Sequence, residues 1–221
     1  MKNQAYYFEI KDIVTQFVAA FNNVVINRYN KDKSVADKIN VRYVYSPKDR
    51  VLHDLTNKSQ HISLPVVAVS ISSIARDENR VFNKIVGHYE TKPNQRTSQF
   101  LPSPIPINIG MNMSVLVRYQ TDLDQILSNF IPYNNPYIVI SWKVPSELSS
   151  SLTEIRSEVL WDGSINLTYP NELQASQPAR VSADTSFTIK GWIFPGQEAE
   201  NAKNILHINT NFTTVSGFDY I

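Results

Sequence analysis

The chain has 221 residues, 42% of them hydrophobic and 19% charged, with 21 basic against 20 acidic side chains and no cysteine. A chain of this length buries roughly 70% of its unfolded surface, so one packed core is enough, and a net charge of +1 argues against a field-driven nucleic-acid binder and against an acidic disordered tail. The missing thiols exclude a disulfide scaffold, a thiolate metal site and a cysteine nucleophile. No apolar run reaches the roughly 18 residues that cross a bilayer, and Met1–Gln4 does not open a secretory signal, so a soluble, unprocessed protein with no membrane partner is expected.

Between Tyr6 and Tyr29, Ile10, Ile13, Val14, Phe17, Val18, Phe21, Val24 and Val25 recur at spacings of three and four, which predicts a long first amphipathic helix. Beyond the polar stretch 30–38, Ile39, Val41, Tyr43 and Tyr45 alternate with polar residues as in a half-buried strand, which Pro47 closes. The β-branched run from Val66 to Ile71 predicts a central strand covered on both faces. Segment 92–106 holds Pro93, Pro102, Pro104 and Pro106 among Ser, Thr, Asn and Gln. It is expected to be a long exposed connection without ladder pairing, and Pro102 and Pro104 are its candidate partner-binding residues.

The alternation from Ile107 to Tyr119 predicts a long strand with one buried face. Thr121 then suits a helix N-cap, with Asp122 and Asp124 in the first turn, Leu123, Ile126, Leu127 and Phe130 on one face, and Pro132 as the stop. Tyr133, Asn134, Asn135 and Tyr137, bracketed by Pro132 and Pro136, read either as a contact loop or as an ordinary turn. Ile138, Ile140, Trp142 and Val144 mark another strand. The runs 155–161 and 165–169 flank Asp162-Gly163, a strong hairpin signal, and 185–194 supplies one more strand before Pro195-Gly196.

After a polar stretch over 197–204, Leu206, Ile208, Thr210, Phe212 and Thr214 alternate with His207, Asn209, Asn211 and Thr213. This segment reads as an arm lying on a neighbour, with Leu206, Ile208 and Phe212 as candidate contacts. The expected fold is α+β: one domain over 1–196 with a mixed or antiparallel β-sheet packed against a long N-terminal helix and a shorter second helix, followed by a C-terminal arm over 197–221.

Signals for chemistry are sparse. The four histidines, His53, His61, His88 and His207, lack the spacing that converges imidazoles on a metal. Six glycines spell neither a Walker loop nor a dinucleotide fingerprint, and no serine sits in a nucleophile elbow. Asp122 with Asp124, and Glu154 with Glu158, are carboxylate pairs by number, but a helix first turn and the polar face of a strand account for them. Arg76, Arg80 and Lys84 have helical spacing, yet Asp77 and Glu78 accompany them, which argues against a specific nucleic-acid platform. The pattern is that of an interaction protein with no cofactor.

Three stretches together resemble a known family. They are Pro102-Ser103-Pro104-Ile105-Pro106 running into Met113–Tyr119; Asp122, Asp124, Gln125-Ile126-Leu127 and Phe130–Asn134; and Ser186–Pro195 with Gly191-Trp192 at its centre. In this order and spacing, over residues 100–195, the chain is similar to the tail sheath stabiliser and completion proteins of contractile-tailed bacteriophages. It departs from their pattern after Pro195, where family members carry a longer, acidic, Pro-rich extension. The resemblance implies a structural virion protein without enzymatic activity, assembled in the host cytoplasm. It implies a homo-oligomeric ring, six-fold, that caps the completed tail, meets the tail tube or its terminator, holds the last ring of sheath protein and offers a surface to the neck or connector. A tail tube terminator or a head-to-tail connector ring is the nearest alternative, and a small hydrolase a more distant one.

Overall fold

In a computed structural model, helix α1 spans Glu9–Phe21 and buries Ile13, Val14, Phe17 and Phe21; the structure describes residues 7–57, 64–81, 87–91, 97–144, 153–169, 180–195 and 201–203. The helix is shorter than the periodicity predicts. Asn22 is extended and Asn23 lies at φ 83, a left-handed conformation that asparagine tolerates better than most residues. The β-branched Val24-Val25-Ile26 that follows favours a pleated strand over another helical turn. Strand β1 (Val25–Tyr29) accordingly pairs antiparallel with β2 (Val35–Asn40), around a turn in which Asp32 accepts from the Ser34 hydroxyl at 2.6 Å.

The single strand expected over 39–45 is also divided. The Val41 N–H donates to the Val24 carbonyl at 3.0 Å, and the chain then enters β3 (Arg42–Tyr45), which joins a different sheet. Helix α2 (Lys48–Asn57) has no counterpart among the predicted elements. Four charged residues and only Val51, Leu52 and Leu55 as large apolar ones give it too narrow a stripe to stand out from a loop.

The main sheet has the order β3-β4-β7-β11-β9-β8, with β4 over Val66–Arg76, β7 over Ile105–Val117, β8 over Ile138–Lys143, β9 over Glu154–Trp161 and β11 over Val181–Ile193. β3 runs parallel to β4 and the other pairs are antiparallel, so the sheet is mixed and the α+β expectation holds. Its spine is the thirteen-residue pairing of β7 with β11, from Ile105 opposite Ile193 to Val117 opposite Val181. β4 is covered on both faces only over Val66–Val69; its second half is exposed.

Strand parity sorts the two faces. On one, Val67, Val69, the odd-numbered residues Ile107 to Val117, Phe187 and Ile189 pack against α1 and α3 (Gln120–Tyr133) in the main core. On the other, Val66, Ala68 and Leu116 pack under Val51 of α2 in a small second cluster. Phe187 lies at the centre of the main core, with ring centroids 5.3 Å from Phe17, 5.3 Å from Phe21 and 5.8 Å from Phe130. Glu9 is buried at the N-terminal end of α1, where its Oε1 accepts from the Phe194 N–H at 2.7 Å; burial outweighs that bond and raises its pKa.

Two turn expectations are corrected. Asp162-Gly163 does not make a hairpin: β9 and β10 (Asn166–Thr168) both pair with β11, at Val159–Trp161 and Asn166–Thr168 respectively. They are two pieces of one strand interrupted by a wide bulge at 162–165, where Gly163 takes φ 79. Of segment 92–106, the described residues 97–106 are not an unpaired loop either. β5 (Gly87–Thr91), β6 (Thr97–Pro102) and β12 (Asn201–Lys203) form a three-stranded antiparallel sheet. Pro102, Pro104 and Pro106 sit at or near strand termini, where a missing N–H breaks no interior ladder bond, and leave 97–101 free to pair; Pro93 lies outside the described residues.

Candidate functional site

The sequence-predicted contact residues fall into three places. Pro102 is the last residue of β6, paired opposite Gly87, and Pro104 is half-buried in the two-residue step into β7. Tyr133, Asn134 and Tyr137 lie together at the corner between α3 and β8. Leu206, Ile208 and Phe212 lie outside the described residues. Of the segment expected as an arm, residues 201–203 are described, and they form β12 against β6.

The α3–β8 corner is built by the end of the helix. Tyr119, not Thr121, is the N-cap, and the helix runs one residue past Pro132 to Tyr133. Proline's lost N–H removes a single bond, to the Ser128 carbonyl, this close to the end, and the Asn134 N–H still closes the last turn on the Phe130 carbonyl. The Tyr133 hydroxyl donates to the Ala20 carbonyl at 2.9 Å, tying α3 to α1, while half of its side chain stays exposed. Asn134 is only 3% exposed; its Nδ2 donates to the Phe130 carbonyl at 2.7 Å, and its Oδ1 has no partner among the described residues. Ile131, Tyr137 and Val139 stand exposed around it. Ile131, Pro132, Asn134, Asn135, Pro136 and Trp161 line an open hollow of about 310 Å³ at this corner.

A second surface is the sheet face not covered by α1 and α3. Ser70, Asn112, Ser114, Ser164, Asp184 and Ser186 line a polar crevice of about 400 Å³ beside α2. There Lys48 Nζ donates to Asp184 at 2.6 Å and to Ser182 at 3.0 Å, and the Ser114 hydroxyl also donates to Asp184. Lys48 pairs with Asp184 and Asp49 lies beside them, so the crevice is hydroxyl-rich with one paired and one further carboxylate. Farther along it, Asp77 is a buried hub. Arg80 Nε donates to it at 2.8 Å and Lys190 Nζ at 3.2 Å, and Arg80 also donates to the Ile107 and Gly191 carbonyls while lying 4.9 Å over the Trp192 ring. Arg80 foremost, with Lys190 assisting, holds the Asp77 carboxyl down at about 2. This network joins β4, β7 and β11, and only the proximity of Asp77 to Arg80 was visible in the sequence.

The carboxylate pairs do not converge. Asp122 is buried with Arg28 at 3.7 Å, contrary to a solvated first-turn position, whereas Asp124 is exposed and accepts from Gln120 at 2.9 Å. Glu154 and Glu158 are both exposed on β9. Among the described residues no three histidine or acidic side chains are grouped as metal ligands, and no helix is long and apolar enough to cross a membrane. What the surface does offer is aromatic and aliphatic side chains among neutral amides and hydroxyls, a composition suited to protein contacts.

Comparison with known proteins places the chain. The family model described as T4-like virus Myoviridae tail sheath stabiliser matches residues 4–219. The chain belongs to that family. The match extends well beyond residues 100–195, where the resemblance is legible by eye, and the family is one of structural tail proteins of the virion. No curated protein matches the sequence. A solved chain described as an extracellular contractile injection system, PVC sheath/tube terminator in extended state, aligns with 98% of this chain at 14% identity and a TM-score of 0.41; the alignment spans 66% of that chain's length.

Proposed function

We propose that this sheath stabiliser acts as a closed ring, six-fold, that caps the completed phage tail. The ring holds the last ring of sheath subunits on the tube end and presents its other surface to the neck or connector. Its role is structural, without enzymatic activity, and it is assembled in the host cytoplasm before joining the virion. The observation that carries this reading is the family match across nearly the whole chain. The character of the exposed surfaces supports it, because ring contacts of this type use aromatic anchors with neutral polar rims.

The partner-facing parts in this reading are the Pro102–Pro104 step, the corner bearing Tyr133, Asn134 and Tyr137, and the arm 197–221 with Leu206, Ile208 and Phe212. The test is retention on tails. Purified protein added to sheathed tails lacking it should bind at one end and keep the sheath extended on dilution. Binding to bare tubes but not to sheathed ends would instead favour a tube terminator, and binding to heads alone a connector.

A further inference from the structure

Three features meet at the α3–β8 corner. The hollow bounded by Ile131, Pro136 and Trp161 is lined by apolar carbon and neutral amides, with no charged side chain. Asn134 lines it, itself 3% exposed, with an Oδ1 that finds no donor among the described residues. From this hollow β8 leaves as the outermost strand of the main sheet. It is paired with β9 on one side and, among the described residues, with nothing on the other, and Val139 on it is 52% exposed. An open edge of this kind templates an added strand.

We propose that this corner receives residues 205–214 of a second copy of the chain, laid along β8 as an added strand with one of its apolar side chains in the hollow. The segment has the pattern such a site requires. Leu206, Ile208, Thr210, Phe212 and Thr214 fall on one face of an extended chain, and 205–214 contain no Asp, Glu, Lys or Arg, matching the uncharged lining. The ten residues 205–214 extend roughly 33 Å, enough to run the length of β8, and they follow closely on β12. With donor segment and acceptor corner on different parts of the chain, the contact can be passed head to tail from copy to copy, which gives a ring where the rotation between copies closes. The inference rests on the ring reading above and assigns its subunit contact.

The absence of cysteine makes the test direct. Full-length Val139→Cys and Phe212→Cys chains are co-expressed and treated with a short bis-maleimide, beside each variant alone and the double variant, while light scattering reports native mass. Tyr137→Cys with Ile208→Cys repeats the test at a second pair. The expected result is a two-chain product several-fold more abundant in the co-expressed sample than in either variant alone, with a ladder of higher products from the double variant. A ring of the expected mass in which neither pair links would overturn this contact while leaving the ring reading intact. Links confined to a single chain of the double variant would overturn it too, and a monomer without two-chain product would remove both contact and ring.

Discussion

At the scale of single residues, the molecule depends on one aromatic centre and one charged hub. Phe187 is fully buried among Phe17, Phe21 and Phe130, so Phe187→Ala leaves a cavity under both helices and should cost about 3–5 kcal/mol in urea unfolding. A loss below about 1 kcal/mol would mean that the core closes around the gap. Asp77 makes an acid-sensitive contribution. Its folded-state pKa of about 2 lies below the ordinary 3.8, so the stabilisation is complete above the ordinary value and is lost as pH falls from there toward 2. Wild type should therefore lose more stability between neutral pH and about pH 3 than Asp77→Asn does, and parallel acid limbs for the two proteins would rule Asp77 out as the source. The interlocking of Arg80 with Asp77, Lys190 and the Ile107 and Gly191 carbonyls was not legible in the sequence, because Lys190 approaches from a strand 113 residues away.

At the scale of elements, what could be read from the sequence is what local periodicity controls. β7, β8, β9 and the buried start of β4 have uninterrupted patterns, and each formed where its alternation or β-branched run predicted. The errors arose where a neighbour decides the outcome. Val24–Tyr29 continues the helical spacing of α1 yet becomes a strand, because the Asn22-Asn23 break frees it to pair with β2. The prolines at 93, 102, 104 and 106 look like a loop, but residues 97–102 pair with strands on either side. Asp162-Gly163 has a hairpin's composition, yet β11 is long enough to hold both flanking runs. The bulge there makes a specific demand: Gly163, at φ 79, is replaced by alanine only with left-handed strain, so Gly163→Ala should cost about 1 kcal/mol. Thermal unfolding at matched conditions measures it, and an unchanged midpoint would show that the bulge relaxes.

At the scale of the whole molecule, a mixed sheet carries helices α1 and α3 on one face, leaves much of the other face hydroxyl-rich, and ends at β8 in an edge beside exposed Ile131, Tyr133, Tyr137 and Val139. The α3–β8 corner was legible as a cluster of aromatic, amide and proline residues; that it borders a sheet edge was not, since strand order is set by pairings distant in sequence. The chain belongs to a family of tail sheath stabilisers, and the assembly proposed for it draws on these surfaces. The most direct measurement is the native mass of the purified full-length protein by light scattering after gel filtration, with negative-stain images of the peak. The account predicts closed rings with the mass of six chains. A protein that stays monomeric at every concentration, and remains so when sheathed tail ends are supplied, would contradict it.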